Sequence, residues 1–207
     1  RNVVVDPIKV TITNYPEGQV EWLKAENNSE NPELGFYDIP FSRDIYIERE
    51  DFIEQKPNKH WKRLSLGLEV RLMHAYFIKC NEVIYDENGQ VKELLCTYDV
   101  NTKSGSGFND RKPNGNIHFV EATHAVKAQF NLFEPLILDE KVSSENFKER
   151  LNPNSWVKKE GFVEYGLRDA KPLDKFQFVR NGYFCKDSKY ENTYNRIVGL
   201  KDSYPKK

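Results

Sequence analysis

The residues with the clearest chemical potential lie in one basic stretch between Lys56 and Met73. This stretch, KPNKHWKRLSLGLEVRLM, carries five cations against the single acid Glu69, and Trp61 lies among them. Lysine and arginine bind phosphate, an aromatic face stacks on a base, and a guanidinium pairs with a base edge. The stretch is typical of a site for single-stranded or looped RNA, although the same residues could also form a solvated surface. The five cations are Lys56, Lys59, Lys62, Arg63 and Arg71.

A second polar group lies near the C-terminal end of the chain, beside the dipeptide Asn181-Gly182. Gln177 can both donate and accept hydrogen bonds, and Arg180 adjoins the dipeptide. Taken alone, these residues are also compatible with an ordinary hairpin tip.

Motifs for other chemistries are absent from the sequence. It has no P-loop, no GxSxG nucleophile motif and no HExxH metal motif. We interpret the four histidines as packed or edge residues, and His74 is predicted to lie on a strand. The three cysteines, Cys80, Cys96 and Cys185, form no CxxC pair, which argues against a zinc site and a disulfide framework.

The elements that must position these groups are strands. Apolar and polar residues alternate through Ile8–Ile12, Val70–Ile78 and Val126–Leu132, which is the period of half-buried strands. Asn88-Gly89 and Asn181-Gly182 each predict a β-hairpin with a two-residue type I′ turn. Short strands separated by turn signals predict an all-β fold, either barrels or a sandwich.

Composition limits the class of protein further. The chain of 207 residues has 31 basic and 32 acidic side chains, so any anion-binding surface must arise from local clustering. No apolar run reaches the roughly 20 residues that span a bilayer, so we expect no membrane insertion. The odd number and wide spacing of the cysteines favour a reducing cytoplasm. The only methionine is Met73, and we expect the chain to be a piece of a larger protein.

The string KHWKRLSLGLEVRLMHAYFIKC resembles the stretch that opens the distal barrel in the anticodon-binding region of glutaminyl-tRNA synthetases. Seven further strings follow the same family in order and span essentially the whole chain. They are DPIKVTITNYPEG, PELGFYDIPFSRDIYIEREDF, CTYD, IHFVEATHA, LNPNSWVKKEGFVEYGLRDA, FQFVRNGYFCKDS and NRIVGLKDS.

The resemblance implies two ribosomal-protein-like β-barrels, with a distal barrel inserted into a discontinuous proximal barrel. It places the first part of the proximal barrel at residues 1–56, the distal anticodon-binding barrel at 57–121 and the second part of the proximal barrel at 122–207. This implication agrees with the all-β prediction made from periodicity.

The resemblance also implies the residues that bind RNA. Arg63 is expected to read the third anticodon base, Arg71 the first, and Gln177 with its neighbours the middle uridine. Met73 stands where the family often has another basic residue, which implies looser anchoring of the first base. The full implied set is His60, Lys62, Arg63, Arg71, Gln177, Arg180 and Arg1, the last one position closer to Asp6 than in the family.

The resemblance implies that the anticodon stem-loop of tRNA(Gln) and an N-terminal catalytic domain of the same polypeptide are the partners of a monomer. No cofactor or metal is expected in this chain, because ATP would bind in the catalytic domain. Three alternatives stay open: a glutamyl-tRNA synthetase that shares these barrels, a single-barrel ribosomal protein that binds 5S rRNA, and a protein-binding β module.

Overall fold

The computed structural model describes residues 1–28, 30–137, 143 and 146–200. Fifteen strands and short 3₁₀ helices make up its regular structure. The strands are β1 (Val3–Val4), β2 (Pro7–Ile12), β3 (Val20–Glu26), β4 (Phe36–Ser42), β5 (Asp44–Glu48), β6 (Glu69–Leu72), β7 (Phe77–Tyr85), β8 (Val91–Asp99), β9 (Asn116–Ile117), β10 (Val120–Glu121), β11 (Val126–Phe133), β12 (Trp156–Val163), β13 (Lys175–Phe178), β14 (Gly182–Lys186) and β15 (Thr193–Val198). The 3₁₀ helices are Pro32–Leu34, Arg49–Asp51, Val100–Thr102, Phe147–Arg150 and Tyr165–Leu167.

Two curled sheets form the body of the protein. The seven-stranded sheet has the order β10-β5-β2-β8-β7-β6-β9, and the six-stranded sheet has the order β1-β12-β11-β15-β14-β13. The hairpin of β3 and β4 packs Leu23, Ala25, Ile39 and Phe41 into the core of the seven-stranded sheet. The prediction of an all-β, two-barrel fold is therefore confirmed.

The chain passes between the two sheets in a way that makes one an insertion in the other. It begins in the six-stranded sheet with β1, forms the whole seven-stranded sheet, and returns to β1 through β12, where Val3 pairs with Val163. The predicted boundary at residues 56 and 57 does not separate two sheets, because β2 and β5 share a sheet with β6, β7 and β8. The chain leaves the seven-stranded sheet after β10.

Alternation explains the two cores. On β2, Ile8, Val10 and Ile12 are buried in the core of the seven-stranded sheet. On β11, Ala128 and Phe130 are buried in the core of the six-stranded sheet, where Phe130 joins a cluster of aromatic rings. That cluster also contains Phe178, Phe184 and Tyr194.

The prediction of one strand through Val70–Ile78 is wrong, because the segment is a hairpin. The Ala75 N–H donates to the Leu72 carbonyl at 3.0 Å, and His74 has a φ of 66°. Val70 then lies opposite Ile78 across β6 and β7. His74 is therefore a turn residue and not a strand residue.

Both predicted hairpins are present, but their turns are placed differently from the prediction. In the first, the Gly89 N–H donates to the Asp86 carbonyl at 3.1 Å, which makes Asn88 a central residue of the turn. A type I′ turn requires a positive φ at both central residues, but Asn88 has none, and the positive φ is at Gly89. In the second, the Asn181 N–H donates to the Phe178 carbonyl at 3.0 Å, and Arg180 has a φ of 62°. The second turn thus places an arginine, rather than the Asn-Gly pair, at its centre.

Candidate nucleic-acid interface

A polar cleft of about 820 Å³ lies between parts of the two sheets. Its walls come from the start of the chain, the hairpin of β3 and β4, the turn between β6 and β7, and the hairpin of β13 and β14. Residues that line it include Arg1, Tyr37, His74, Gln177, Arg180 and Tyr183. Three residues of the predicted RNA site therefore meet at one cleft, although their sequence positions are far apart.

Both the backbone and the side chain of Arg1 are held by contacts with other parts of the chain. Its backbone nitrogen donates to the Gln177 carbonyl at 2.9 Å, and its Nη1 donates to Asn27 Oδ1 at 2.9 Å. Its guanidinium carbon lies 3.9 Å from the centre of the Tyr37 ring. The Glu164 carboxylate lies 3.8 Å from Arg1 Nε, and burial raises the pKa of Glu164. The start of the chain is thus fixed to the β13–β14 hairpin through Gln177 and to the β3–β4 hairpin through Asn27 and Tyr37.

Gln177 presents a free side-chain amide to the cleft. On β13, Phe176 and Phe178 pack into or against the core, so alternation turns Gln177 to the opposite, exposed face. Gln177 pairs in register with Tyr183 of β14. Among the residues that the structure describes, the Gln177 side chain forms no hydrogen bond. Its amide is available as both donor and acceptor.

Arg180 occupies the turn of the same hairpin in a backbone conformation that is uncommon for residues other than glycine. Its Nη1 donates to Asp51 Oδ2 at 2.7 Å, and its Nη2 lies 2.7 Å from Asp51 Oδ1. Asn181 Nδ2 beside it donates to Glu48 Oε1 at 3.1 Å. Two carboxylates of the seven-stranded barrel therefore hold the hairpin tip of the six-stranded sheet.

Arg63 contacts the same buried carboxylate, that of Asp51. It lies in the basic stretch between Lys56 and Met73, here called the basic segment. Its Nε lies 3.3 Å from Asp51 Oδ1, and its Nη1 donates to the Glu50 carbonyl at 2.7 Å. Its guanidinium carbon lies 5.6 Å from the centre of the Trp61 ring. Although Arg63 does not line the cleft, Asp51 connects it to Arg180, which does.

The basic segment that precedes Arg63 is held from behind by Asn114. The Asn114 Nδ2 donates to the carbonyls of Trp61 and Arg63, at 3.0 and 2.7 Å, and its Oδ1 accepts from Lys56 Nζ at 2.6 Å. His60 and Lys62 are exposed. Neither side chain forms a hydrogen bond or an ion pair with any residue in the described part of the chain, so both face solvent as an RNA contact requires.

Arg71 lies apart from the other candidate residues. Its Nη1 donates to the Thr102 carbonyl at 2.9 Å and to Ser104 Oγ at 3.1 Å. Its guanidinium carbon lies 4.3 Å from the centre of the Phe77 ring, and burial lowers the pKa of Arg71. Arg71 forms no ion pair within the described ranges, so its charge is not neutralised by a neighbouring carboxylate.

Sequence reasoning missed several residues of this interface. In the sequence, Asp51 is one of several acidic residues in IERED and does not stand out, and Tyr37, Asn27 and Asn114 belong to no motif. The turn position of His74 brings its ring to the cleft, 3.3 Å from Glu26, and burial lowers the pKa of His74. The contacts of these residues join positions that are distant in sequence, which no local pattern reveals.

Other kinds of site receive no support in the described ranges. They contain no group of three or more histidine, cysteine, aspartate or glutamate side chains that could hold a metal ion. They also contain no helix that is long and apolar enough to cross a membrane. Cys80, Cys96 and Cys185 are free thiols.

The chain belongs to the family described as tRNA synthetases class I (E and Q), anti-codon binding domain, whose models match residues 1–99 and 116–187.

Within that family, the relatives it resembles are named glutamine–tRNA ligases. It is 51% identical to the one from Clostridium perfringens over 207 residues and 51% identical to the one from Clostridioides difficile over 208 residues. It is 44% identical to the one from Vibrio cholerae over 208 residues. The matches cover 97 to 98% of this chain but only 37% of each relative, so the chain spans little more than a third of their length.

Proposed function

We propose that this chain binds the anticodon loop of tRNA(Gln) as the anticodon-binding part of a glutamine–tRNA ligase. The observation that carries the proposal is the identity of 44 to 51% along almost the whole chain to proteins that bear this name. The polar cleft supports it, because unpaired hydrogen-bonding groups at the junction of two barrels suit a base that is splayed out of its stack.

The middle anticodon base, a uridine, is assigned to the cleft. Uracil offers one N–H donor between two carbonyl acceptors, and the free amide of Gln177 can satisfy one of each. Arg1 and Arg180 line the same cleft and supply cationic donors. Tyr183, which is opposite Gln177 and about half exposed, offers an aromatic surface beside the base.

The third and first anticodon bases are assigned to the two arginines of the basic segment and the strand that follows it. Arg63 keeps N–H groups free after its contacts with Asp51 and Glu50, so it can form two hydrogen bonds with a base edge. Arg71 lies with one nitrogen committed to Thr102 and Ser104 and is assigned to the first base. Met73 adds no charge there, and His60 and Lys62 are assigned to neighbouring RNA groups.

The rest of the whole protein would supply the chemistry. A catalytic domain of the same polypeptide would bind ATP and attach glutamine to the tRNA, and the chain itself would hold no cofactor. We further propose that the protein is monomeric and acts in the cytoplasm, where tRNA is charged. Base contacts would give this chain specificity, and lysine and arginine contacts to phosphate would give it affinity.

The test is equilibrium binding of the chain to a glutamine anticodon stem-loop, to one with its middle uridine replaced, and to a glutamate anticodon stem-loop, at two salt concentrations. We expect the glutamine loop to bind best and its affinity to fall as salt rises. Preference for the glutamate loop would assign the other amino acid of the family. Equal binding of all loops, or none, would contradict base recognition by this chain.

A further inference from the structure

Asp51 is a fully buried carboxylate that lies between arginines of the two barrels. It ends the 3₁₀ helix Arg49–Asp51 directly after β5, and its side chain is 0% exposed. Oδ1 lies 3.3 Å from Arg63 Nε and 2.7 Å from Arg180 Nη2, while Oδ2 accepts a hydrogen bond from Arg180 Nη1. One carboxylate therefore sets the positions of two guanidinium groups relative to each other.

Asp51 is fully buried, whereas the two arginines that it contacts remain partly exposed and accessible to RNA. A buried carboxylate that loses its cations is strongly unfavourable, so both arginines are held near Asp51 before any ligand arrives. The arginine side chains remain 33% and 29% exposed. Glu50 Oε1 also lies 3.3 Å from Arg63 Nη1, but the Glu50 side chain is largely exposed, so Asp51 is the buried carboxylate that the two arginines share. Arg63 Nη2 has no partner in the described ranges.

We propose that Asp51 is a positioning residue that couples the reading of the third anticodon base by Arg63 to the reading of the middle base by Arg180. This inference rests on the proposed function. Asp51 touches neither base. It orients each guanidinium so that the N–H groups left over from the carboxylate face the RNA, which removes the rotamer freedom that each arginine would otherwise lose on binding.

The coupling has a consequence that a purely structural role lacks. If a substitution at Arg180 removes hydrogen bonds to Asp51, the Asp51 carboxylate can shift toward Arg63 and reorient its guanidinium group. A change at Arg180 should therefore alter discrimination at the third base, which Arg180 does not read. A change that only loosened the fold would weaken the binding of every anticodon loop by the same factor.

The experiment measures the affinity of the chain and its variants for three stem-loops: cognate, middle base replaced and third base replaced. The variants are Asp51→Asn and Arg180→Lys, and Glu134→Gln is the matched control because Glu134 pairs with Arg196 at a distance from the cleft. The thermal midpoint of each variant is measured alongside. Arg180→Lys keeps the positive charge and a partly exposed side chain, so it remains informative if Asp51→Asn does not fold.

We expect Asp51→Asn to reduce discrimination at both bases by about tenfold, and Arg180→Lys to reduce it at the third base by at least about fivefold. Glu134→Gln should retain the parent ratios. If the parent discriminates between the loops but Arg180→Lys changes the middle-base ratio alone, the coupling is overturned while the proposed function stands. If the parent does not discriminate, it is the proposed function that fails.

Discussion

Gly115 lies directly against the backbone of Lys62. A Cβ atom built on Gly115 would be 1.7 Å from the Lys62 carbonyl oxygen and 2.5 Å from its carbonyl carbon. No side chain fits at that distance, so the close approach requires glycine. Together with the hydrogen bonds of Asn114, this contact fixes the basic segment to the residues that directly precede β9.

Gly115→Ala should therefore destabilise the protein by about 1 to 3 kcal/mol, because the methyl group forces the basic segment away from its support. Urea unfolding followed by circular dichroism measures the loss. Gly166→Ala is the matched control, since its Cβ would meet Glu164 Oε1 at an ordinary 3.5 Å. Equal free energies of unfolding for both variants would show that the segment shifts without cost.

Arg63→Ala should weaken binding of the cognate anticodon loop by about 1 to 3 kcal/mol and relax discrimination at one base only. The loss has a direct cause, because alanine removes the N–H groups that form paired hydrogen bonds with a base edge. Arg168→Ala, which removes a half-exposed arginine that stacks on Tyr165, serves as the control. Uniform weakening for every anticodon would rule out base reading by Arg63.

Lys62→Ala should weaken all RNAs by a similar factor and lower the magnitude of the salt slope by about 1, because a lysine acts on phosphate as a point charge. Affinities over a series of salt concentrations measure this effect. Lys127→Ala is the control, since Lys127 is exposed and pairs with Glu160 at 2.9 Å. A slope equal to that of the parent chain would place Lys62 outside the interface.

The lowered pKa of Glu48 predicts that the Glu48 charge contributes less to the free energy of unfolding in acid. Burial raises the pKa of Glu48, but the nearby His118 ring and the backbone N–H groups of Val5 and Asp6 outweigh burial, so the pKa lies below its usual 4.5. A lowered pKa stabilises the folded state above the unfolded pKa, and that contribution is lost as pH falls through the folded value. Glu48→Gln should therefore cost most near neutral pH and progressively less below about pH 4.

The measurement for Glu48 is the free energy of unfolding of parent and Glu48→Gln between neutral pH and strongly acidic pH. The difference between the two curves should shrink toward the acid end. Glu160→Gln is a suitable control, because Glu160 is largely exposed. A constant difference across the pH range would contradict the role of the Glu48 charge.

The sequence predicts the regular parts of this fold well because their signal is local. Alternation identifies β2 directly, since β2 buries every second residue, and it identifies β11 through the buried Ala128 and Phe130. It fails at Met73 and His74, because neither residue type favours a turn and apolar alternation continues through them. The hydrogen bond from Ala75 to Leu72 reverses the chain there in spite of the pattern.

The candidate site divides in the same way. The basic segment and Gln177 stand out by residue type, and their family resemblance supplied the roles. The partnership of Asp51 with Arg180 spans 129 residues and was invisible, because no pattern within one segment reports a contact with another. The same applies to Asn114, which supports Trp61 from more than 50 residues away.

The insertion of one sheet within the other also orders the events of folding. β1 precedes β12 by about 150 residues, and Val3 can pair with Val163 only after the chain between them has been compacted. Loop closure over a disordered chain of that length carries a large entropic cost, which falls when a folded unit shortens the loop. The seven-stranded sheet, which is complete within residues 7–121, is thus expected to fold first and bring β1 to the strands that emerge later from the ribosome.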